Sequence, residues 1–312
     1  MLKKIIGAIR PNPFDQLLKK AASENQSRFL VIWNRGLGDI PLGLYALVYR
    51  IRSFIPHASV TFLTRPDLAP GFQMLENVHI LPCDHWERGK LIDITESLAE
   101  HQLTPDVFDV ILENPDPTRW LKWQLGTLTP KLQWREEWDA LAEKYQLQKG
   151  ETYIGVHVDT ETGGYYKYEK NWPLSYWQEL FTRIQEKHKG KVILFGMEKD
   201  RSFLMDHIVD LRGETTVFEM LSVIKNYCSY LVVPDSGVLS IAYYVDSDFP
   251  VRVVSLWADP RQGVLRQKVD SPNPHFKHIP LIGKDDNVAN ISPESAFGAL
   301  FNPEEHEQAS PC

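Results

Sequence analysis

The stretch Arg28–Pro56, RFLVIWNRGLGDIPLGLYALVYRIRSFIP, constrains the fold more than any other part of the chain. It opens on an unbroken apolar run, Phe29–Trp33, of the kind a parallel strand buried on both faces requires. Asn34-Arg35-Gly36-Leu37-Gly38-Asp39 follows as a tight turn whose two glycines allow positive φ or a close backbone approach. An apolar stripe at helical spacing then begins with Leu42, Leu44, Tyr45, Leu47, Val48 and Ile51. Pro41 suits the first turn of that helix, where a missing N–H costs nothing. Strand, glycine turn and helix in immediate succession open a doubly wound α/β domain.

Asp39 has two readings. Next to the helix start it is a capping carboxylate, stabilised by free N–H groups and the helix dipole. At the carboxyl end of the first strand, where open α/β sheets place their sites, it is a candidate general base. A dinucleotide fingerprint is rejected, because Pro41 holds the place of the third glycine of G-x-G-x-x-G. An aspartate there would also repel a pyrophosphate.

The same rhythm continues. Strands are expected at 58–63, 78–82 and 107–112, with a helix at 91–101, a short helix around 119–123 and a connecting helix at 137–148. Gln148-Lys149-Gly150-Glu151 reads as a hinge, after which the pattern restarts. Strands at 153–157, 191–195, 210–213, 230–233 and 251–256 alternate with helices at 175–188, 201–209, 217–226 and 238–245. The fold class expected is therefore α/β, two Rossmann-like β/α/β domains facing each other across a cleft, 1–150 and 151–312.

Across 312 residues, 43% hydrophobic and 24% charged describe a soluble protein with ample core. A net charge of -7 argues against a nucleic-acid partner, whose binding surface would be basic. Cys83, Cys228 and Cys312 carry no C-x-x-C spacing, so neither a disulfide framework nor a zinc site follows. A reducing, cytoplasmic setting is the expectation. The basic, apolar start Met1–Arg10 is too short for a signal core and reads as a packed helical arm or as a contact with a membrane surface.

Three segments of the second half fall at strand ends. His157-Val158-Asp159-Thr160-Glu161-Thr162, running on to Lys170-Asn171-Trp172-Pro173, offers two hydroxyls, a point charge and a helix start. That combination suits a diphosphate, against the plain alternative of a polar loop. Phe195-Gly196-Met197-Glu198 ends a strand in a carboxylate that could accept both hydroxyls of a ribose, or simply cap a helix. Asp235-Ser236-Gly237 leads from a buried strand into a helix, where Ser236 is either a donor to an anion or an N-cap. A serine hydrolase is not indicated, because G-x-S-x-G is missing. No D-x-D or histidine cluster suggests a metal, since Asp246-Ser247-Asp248 reads as a loop before Pro250. Arg65, Arg119 and Lys122 are candidates for holding an anionic acceptor.

R-G-L-G-D after the first strand, then K-x-W-P, G-x-E and D-S-G in that order, resemble the heptosyltransferases of lipopolysaccharide core assembly, glycosyltransferase family 9, of GT-B fold. The resemblance implies that Asp39 deprotonates the acceptor hydroxyl. It implies that Lys170 holds the donor diphosphate, to which the Thr160 and Thr162 hydroxyls of the same loop would add donors, and that Glu198 binds the ribose. Asp235, Ser236 and Gly237 would contact the donor sugar and phosphates. The partners implied are an ADP-heptose-like donor and a glycolipid or glycan acceptor at the inner face of the membrane, with no cofactor or metal and no nucleic acid. Three features depart from the family. Ser240 stands where a histidine is usual, Trp257-Ala258-Asp259-Pro260 replaces a G-P-T-x-P loop, and Gly163–Glu169 is longer and more aromatic. Two other classes stay open: an epimerase-like enzyme, turning over donor without acceptor, and a non-catalytic nucleotide binder.

Overall fold

The computed structural model describes residues 12–160, 169–197, 199 and 202–302. They form two compact units that divide between Leu132 and Gln133.

In the first unit, Asn12 caps helix α1 (Pro13–Ser23) by accepting the Phe14 N–H, and the helix buries Phe14, Leu18 and Ala21 on one face. The apolar run becomes strand β1 (Arg28–Trp33), and all but its first residue are buried. It pairs in parallel with β2 (Ser59–Thr64), from Arg28 opposite Ser59 to Trp33 opposite Thr64. With β3 (Val78–Pro82) and β4 (Val110–Leu112) the sheet order is β3-β2-β1-β4. After β1 the chain makes one π-helical turn, Ile40–Leu44, and then helix α2 (Tyr45–Phe54). Arg50 forks onto Asp15 at 2.8 and 2.7 Å, fastening α2 to α1. Helix α3 (Ala69–Gln73) follows β2, α4 (Ile94–Ala99) follows β3, and the short α5 (Pro117–Trp120) follows β4.

The second unit carries β5 (Tyr153–His157), β6 (Lys191–Phe195), β7 (Ile208–Asp210), β8 (Cys228–Pro234), β9 (Val251–Trp257) and β10 (Phe276–Ile282). Its parallel sheet has the order β10-β9-β8-β5-β6-β7. Helices α6 (Leu174–Arg183), α7 (Val217–Tyr227), α8 (Gly237–Tyr244), α9 (Gly263–Gln267) and α10 (Pro293–Phe301) connect and close it. A core of Trp172, Trp177, Phe181 and the strand valines and isoleucines lies under α6 and α10. No described helix is long and apolar enough to cross a membrane. Cys83 and Cys228 are buried free thiols, and burial pushes the Cys228 thiol up to about 12.

Three expectations need correction. The units divide at 132/133, ahead of the hinge expected at 148–151, because residues 136–145 pack on the second unit as a 3₁₀ helix (Glu136–Tyr145) and not as a free α-helical connector. Trp138 stacks on Phe218 at 4.0 Å, and the Lys225 ammonium meets both Asp139 oxygens at 2.7 and 2.8 Å. The described part of 201–209 holds no helix. Phe203 packs edge-on against Phe181, and the chain then forms the edge strand β7. Strand β10 and helix α10 were not anticipated, since Lys277, His278 and Pro280 break the apolar run. An edge strand tolerates a proline because its outer N–H groups need no partner.

Candidate active site

In each sheet the strand order reverses once, and the crevice beyond the carboxyl ends at that reversal is where an open α/β sheet binds its ligand. In the first unit the reversal lies between β1 and β4, so the turn Asn34–Asp39 and the loop after Leu112 border it. The half-buried Asp39 holds the N-cap position of the π turn there. Its side chain makes no capping bond, and Oδ2 accepts the Gly36 N–H at 3.0 Å instead. Gly36 therefore serves close approach and not positive φ: a Cβ there would stand 3.3 Å from Asp39 Oδ2. On the other side, Pro117 at the start of α5 packs against Gly43 of the π turn.

The expected acceptor residues divide. Arg65, largely buried, is forked onto Asp67 at 2.9 and 2.6 Å and also donates to the Asn34 carbonyl at 3.3 Å. Its charge is partnered, and it braces the turn that carries Asp39. Arg119 and Lys122 are exposed, one on α5 and the other on the 3₁₀ turn after it. Arg88 was not anticipated, as nothing in the spacing of its loop marks it. Its Nη2 comes within 3.9 Å of the same point beside Gly36 that Asp39 Oδ2 approaches. Asn34 holds that loop by donating to the carbonyls of Glu87 and Lys90. An open cavity of about 430 Å³ in the same loop region is lined by Glu87, Asp93, Glu96 and Glu100 against His85 and Lys90, a balance that disfavours an anionic group.

In the second unit the reversal lies between β5 and β8. Here the structure joins two segments that were read separately. Lys170 Nζ lies 2.6 Å from Asp235 Oδ2, with the two side chains 8% and 9% exposed. Lys170 is placed by its neighbours in K-N-W-P. The Asn171 side chain accepts the Thr160 N–H at 2.8 Å and donates to the Thr160 carbonyl at 3.3 Å, bringing Thr160 alongside. Trp172 is fully buried, its indole N–H donating to the Ile291 carbonyl at 2.9 Å. Ser236 is the N-cap of α8, accepting the Leu239 N–H, which is the plain reading of D-S-G, and Gly237 begins the helix. Ser240 is buried and its hydroxyl donates to the Ser236 carbonyl at 3.0 Å. Thr162 and Glu198 lie outside the described residues.

His157, at the carboxyl end of β5, is a further candidate. It is 7% exposed, and its Nδ1 is buried without a hydrogen bond. Burial pushes its pKa down to about 4, so the ring is neutral. Its Cδ2 faces Gly196 at the end of β6, where Glu198 is two residues on. Among the described residues no group of three or more His, Cys, Asp or Glu could hold a metal ion.

Two parallel-sheet units of these strand orders belong to the GT-B fold, the architecture of a large class of glycosyltransferases. Heptosyltransferase II of E. coli, described as an ADP-heptose lps heptosyltransferase, superposes with a TM-score of 0.59 at 19% identity, over 89% of this chain and 99% of that one. A glycosyl transferase of family 9 from Veillonella parvula superposes with a TM-score of 0.57 at 15% identity, over 88% and 95%. At these identities the likeness is one of fold. Residues 120–266 match the model of glycosyltransferase family 9 (heptosyltransferase), a span that includes K-N-W-P and D-S-G. Over that span, just under half of its length, the chain is similar to the family. No curated protein matches it.

Proposed function

We propose that the protein moves a sugar, heptose by its similarity, from a nucleoside diphosphate sugar to a hydroxyl of a lipopolysaccharide-core or related glycan. The observation that carries this reading is the buried Lys170–Asp235 pair beside the start of α8, at the reversal of the second sheet. A buried ammonium next to helix N–H groups is a place for an anion that gains charge as a glycosidic bond breaks. The first unit contributes Asp39, whose carboxylate is turned onto the Gly36 N–H at the reversal of its own sheet.

The chemistry is one displacement at the anomeric carbon. Asp39 takes the proton of the attacking hydroxyl, a role worth about 10²–10⁴-fold in rate. Lys170 and the α8 amides receive the departing diphosphate, with Thr160 and Thr162 adding donors, and Glu198 takes the ribose hydroxyls. Asp235, Ser236 and Gly237 complete the donor site, while Arg119 and Lys122 hold an anionic group of the acceptor, with Arg65 bracing the turn. The leaving group is met by the chain's own cations and amides, so the reading includes neither a cofactor nor a metal. The acceptor places the work at the cytoplasmic face of a membrane.

Calorimetry with ADP, UDP and their sugars tests the donor site. Lys170→Ala should cost about 1.5–3 kcal/mol of nucleoside diphosphate binding, the range for a hydrogen bond to a charged group. Equal affinity in wild type and variant would remove Lys170 from the donor site.

A further inference from the structure

We propose that Gly263 is a positioning residue for the donor site: it leaves the space in which the Asp235 carboxylate rests, and through Asp235 it sets the Lys170 ammonium. The inference rests on the proposed role of Lys170 as the holder of the diphosphate. Neither the glycine-rich turn after β1 nor the D-S-G segment contains this residue. It opens α9, beyond the Ala258–Pro260 segment that follows β9.

The geometry is narrow on every side. Gly263 has φ +50, a left-handed conformation that a side chain adopts only under strain. A Cβ built on it would lie 2.5 Å from Asp235 Oδ1, 2.7 Å from Trp257 Cη2 and 3.0 Å from Trp257 Cζ3. Neither neighbour can yield cheaply. Asp235 is a short side chain with Oδ2 on Lys170 at 2.6 Å, and its own N–H donates to the Leu256 carbonyl at 3.1 Å. Trp257 is fully buried, with its indole N–H on Ser255 Oγ at 2.6 Å, and that oxygen is 2.6 Å from His278 Nε2. His278 is held in turn against the ring of Tyr243. A rigid wall from β10 to β9 thus stands behind Gly263, and Asp235 stands in front. Any side chain at 263 must push the carboxylate off its place, and Lys170 goes with it because the two form one buried pair. On this account Asp235 acts first as the counterion that aims Lys170, and its reach toward a sugar is secondary.

The experiment is calorimetric binding of ADP to the full-length chain. Gly263→Ala should weaken ADP binding about ten-fold or more, on the scale of a charged hydrogen bond lost from its geometry. Gly150→Ala is the control for backbone strain alone. Gly150 also has positive φ, +93, but no atom lies within 4 Å of its Cβ position, so ADP affinity should stay at the wild-type value. Combined with Lys170→Ala, Gly263→Ala should add no further loss, because both act through one ammonium. A purely structural effect of Gly263→Ala would instead add to the loss from Lys170→Ala. Should Gly263→Ala fail to fold, Asp235→Asn keeps the shape and removes the counterion. It should weaken ADP binding by a similar factor and be silent in the Lys170→Ala background. Wild-type ADP affinity in Gly263→Ala, or in Asp235→Asn, overturns the inference while leaving Lys170 in its role, provided Lys170→Ala itself binds weakly. Wild-type affinity in Lys170→Ala overturns the donor-site reading and this inference together.

Discussion

Lys170→Met offers a sharp test of how the second unit is built, because it removes the ammonium and keeps most of the side chain's length. The partner Asp235 would be left 9% exposed, its Oδ2 having lost a donor at 2.6 Å. Two regimes bracket the result. An exposed ion pair contributes about 0–1 kcal/mol, whereas breaking a buried pair from one side costs about 3–5 kcal/mol because a charge is stranded without water. Exposures of 8% and 9% put this pair in the second regime, so a loss of about 3 kcal/mol or more is expected. The same reasoning makes the double replacement Lys170→Met with Asp235→Leu milder than either single change, since neither charge remains to be stranded. The two units need not unfold together, so stability is best read by hydrogen exchange of the β5 and β8 amides across a urea series. A cost below about 1 kcal/mol for Lys170→Met, or a double variant as damaged as the sum of the singles, would refute the reasoning.

Three further outcomes are expected. Asp39→Asn should leave stability within about 0.5 kcal/mol of wild type, because Asn can still accept the Gly36 N–H and no helix cap is lost; a larger shift in urea midpoint would return Asp39 to a structural role. His157 and His278 are both pushed down by burial to about 4. As pH falls below the ordinary histidine value the unfolded chain takes up protons first. Stability should thus be full above about pH 6.5 and decline toward pH 4 by about 1.4 kcal/mol per unit for each ring. Urea midpoints at several pH values, with His278→Gln reducing the slope, check this. Finally, a fragment of residues 133–312 should be markedly more stable than one of 151–312, whose α7 loses Trp138 and Asp139; equal melting temperatures would contradict the unit boundary.

The sheet strands that build the crevices were legible because each is an apolar run ending in turn formers, and parallel strands buried on both faces must read that way. Lys170 and Asp235 were each singled out as candidates from their place near strand ends. Their pairing was not, since 65 residues separate them and no local signal encodes the reversal between β5 and β8. Gly263 and Arg88 matter only through what approaches them in space, which a single sequence does not carry. Segment 136–145 misled for a related reason: its amphipathic pattern is real, but it fits a 3₁₀ helix docked on α7 as well as a free α-helix. Edge strand β10 was missed and β7 was placed two residues too late, because edges admit polar residues and proline.

The most direct test of the central claim is an acceptor-dependent transfer assay. Wild type and Asp39→Asn are each given an ADP-heptose donor and a lipopolysaccharide-core acceptor, and both glycan product and released nucleoside diphosphate are followed. The account predicts equimolar product and diphosphate that appear only with acceptor present, and a loss of at least about 10²-fold in Asp39→Asn with donor affinity unchanged. Donor turnover without acceptor, or near-normal transfer by Asp39→Asn, would contradict it.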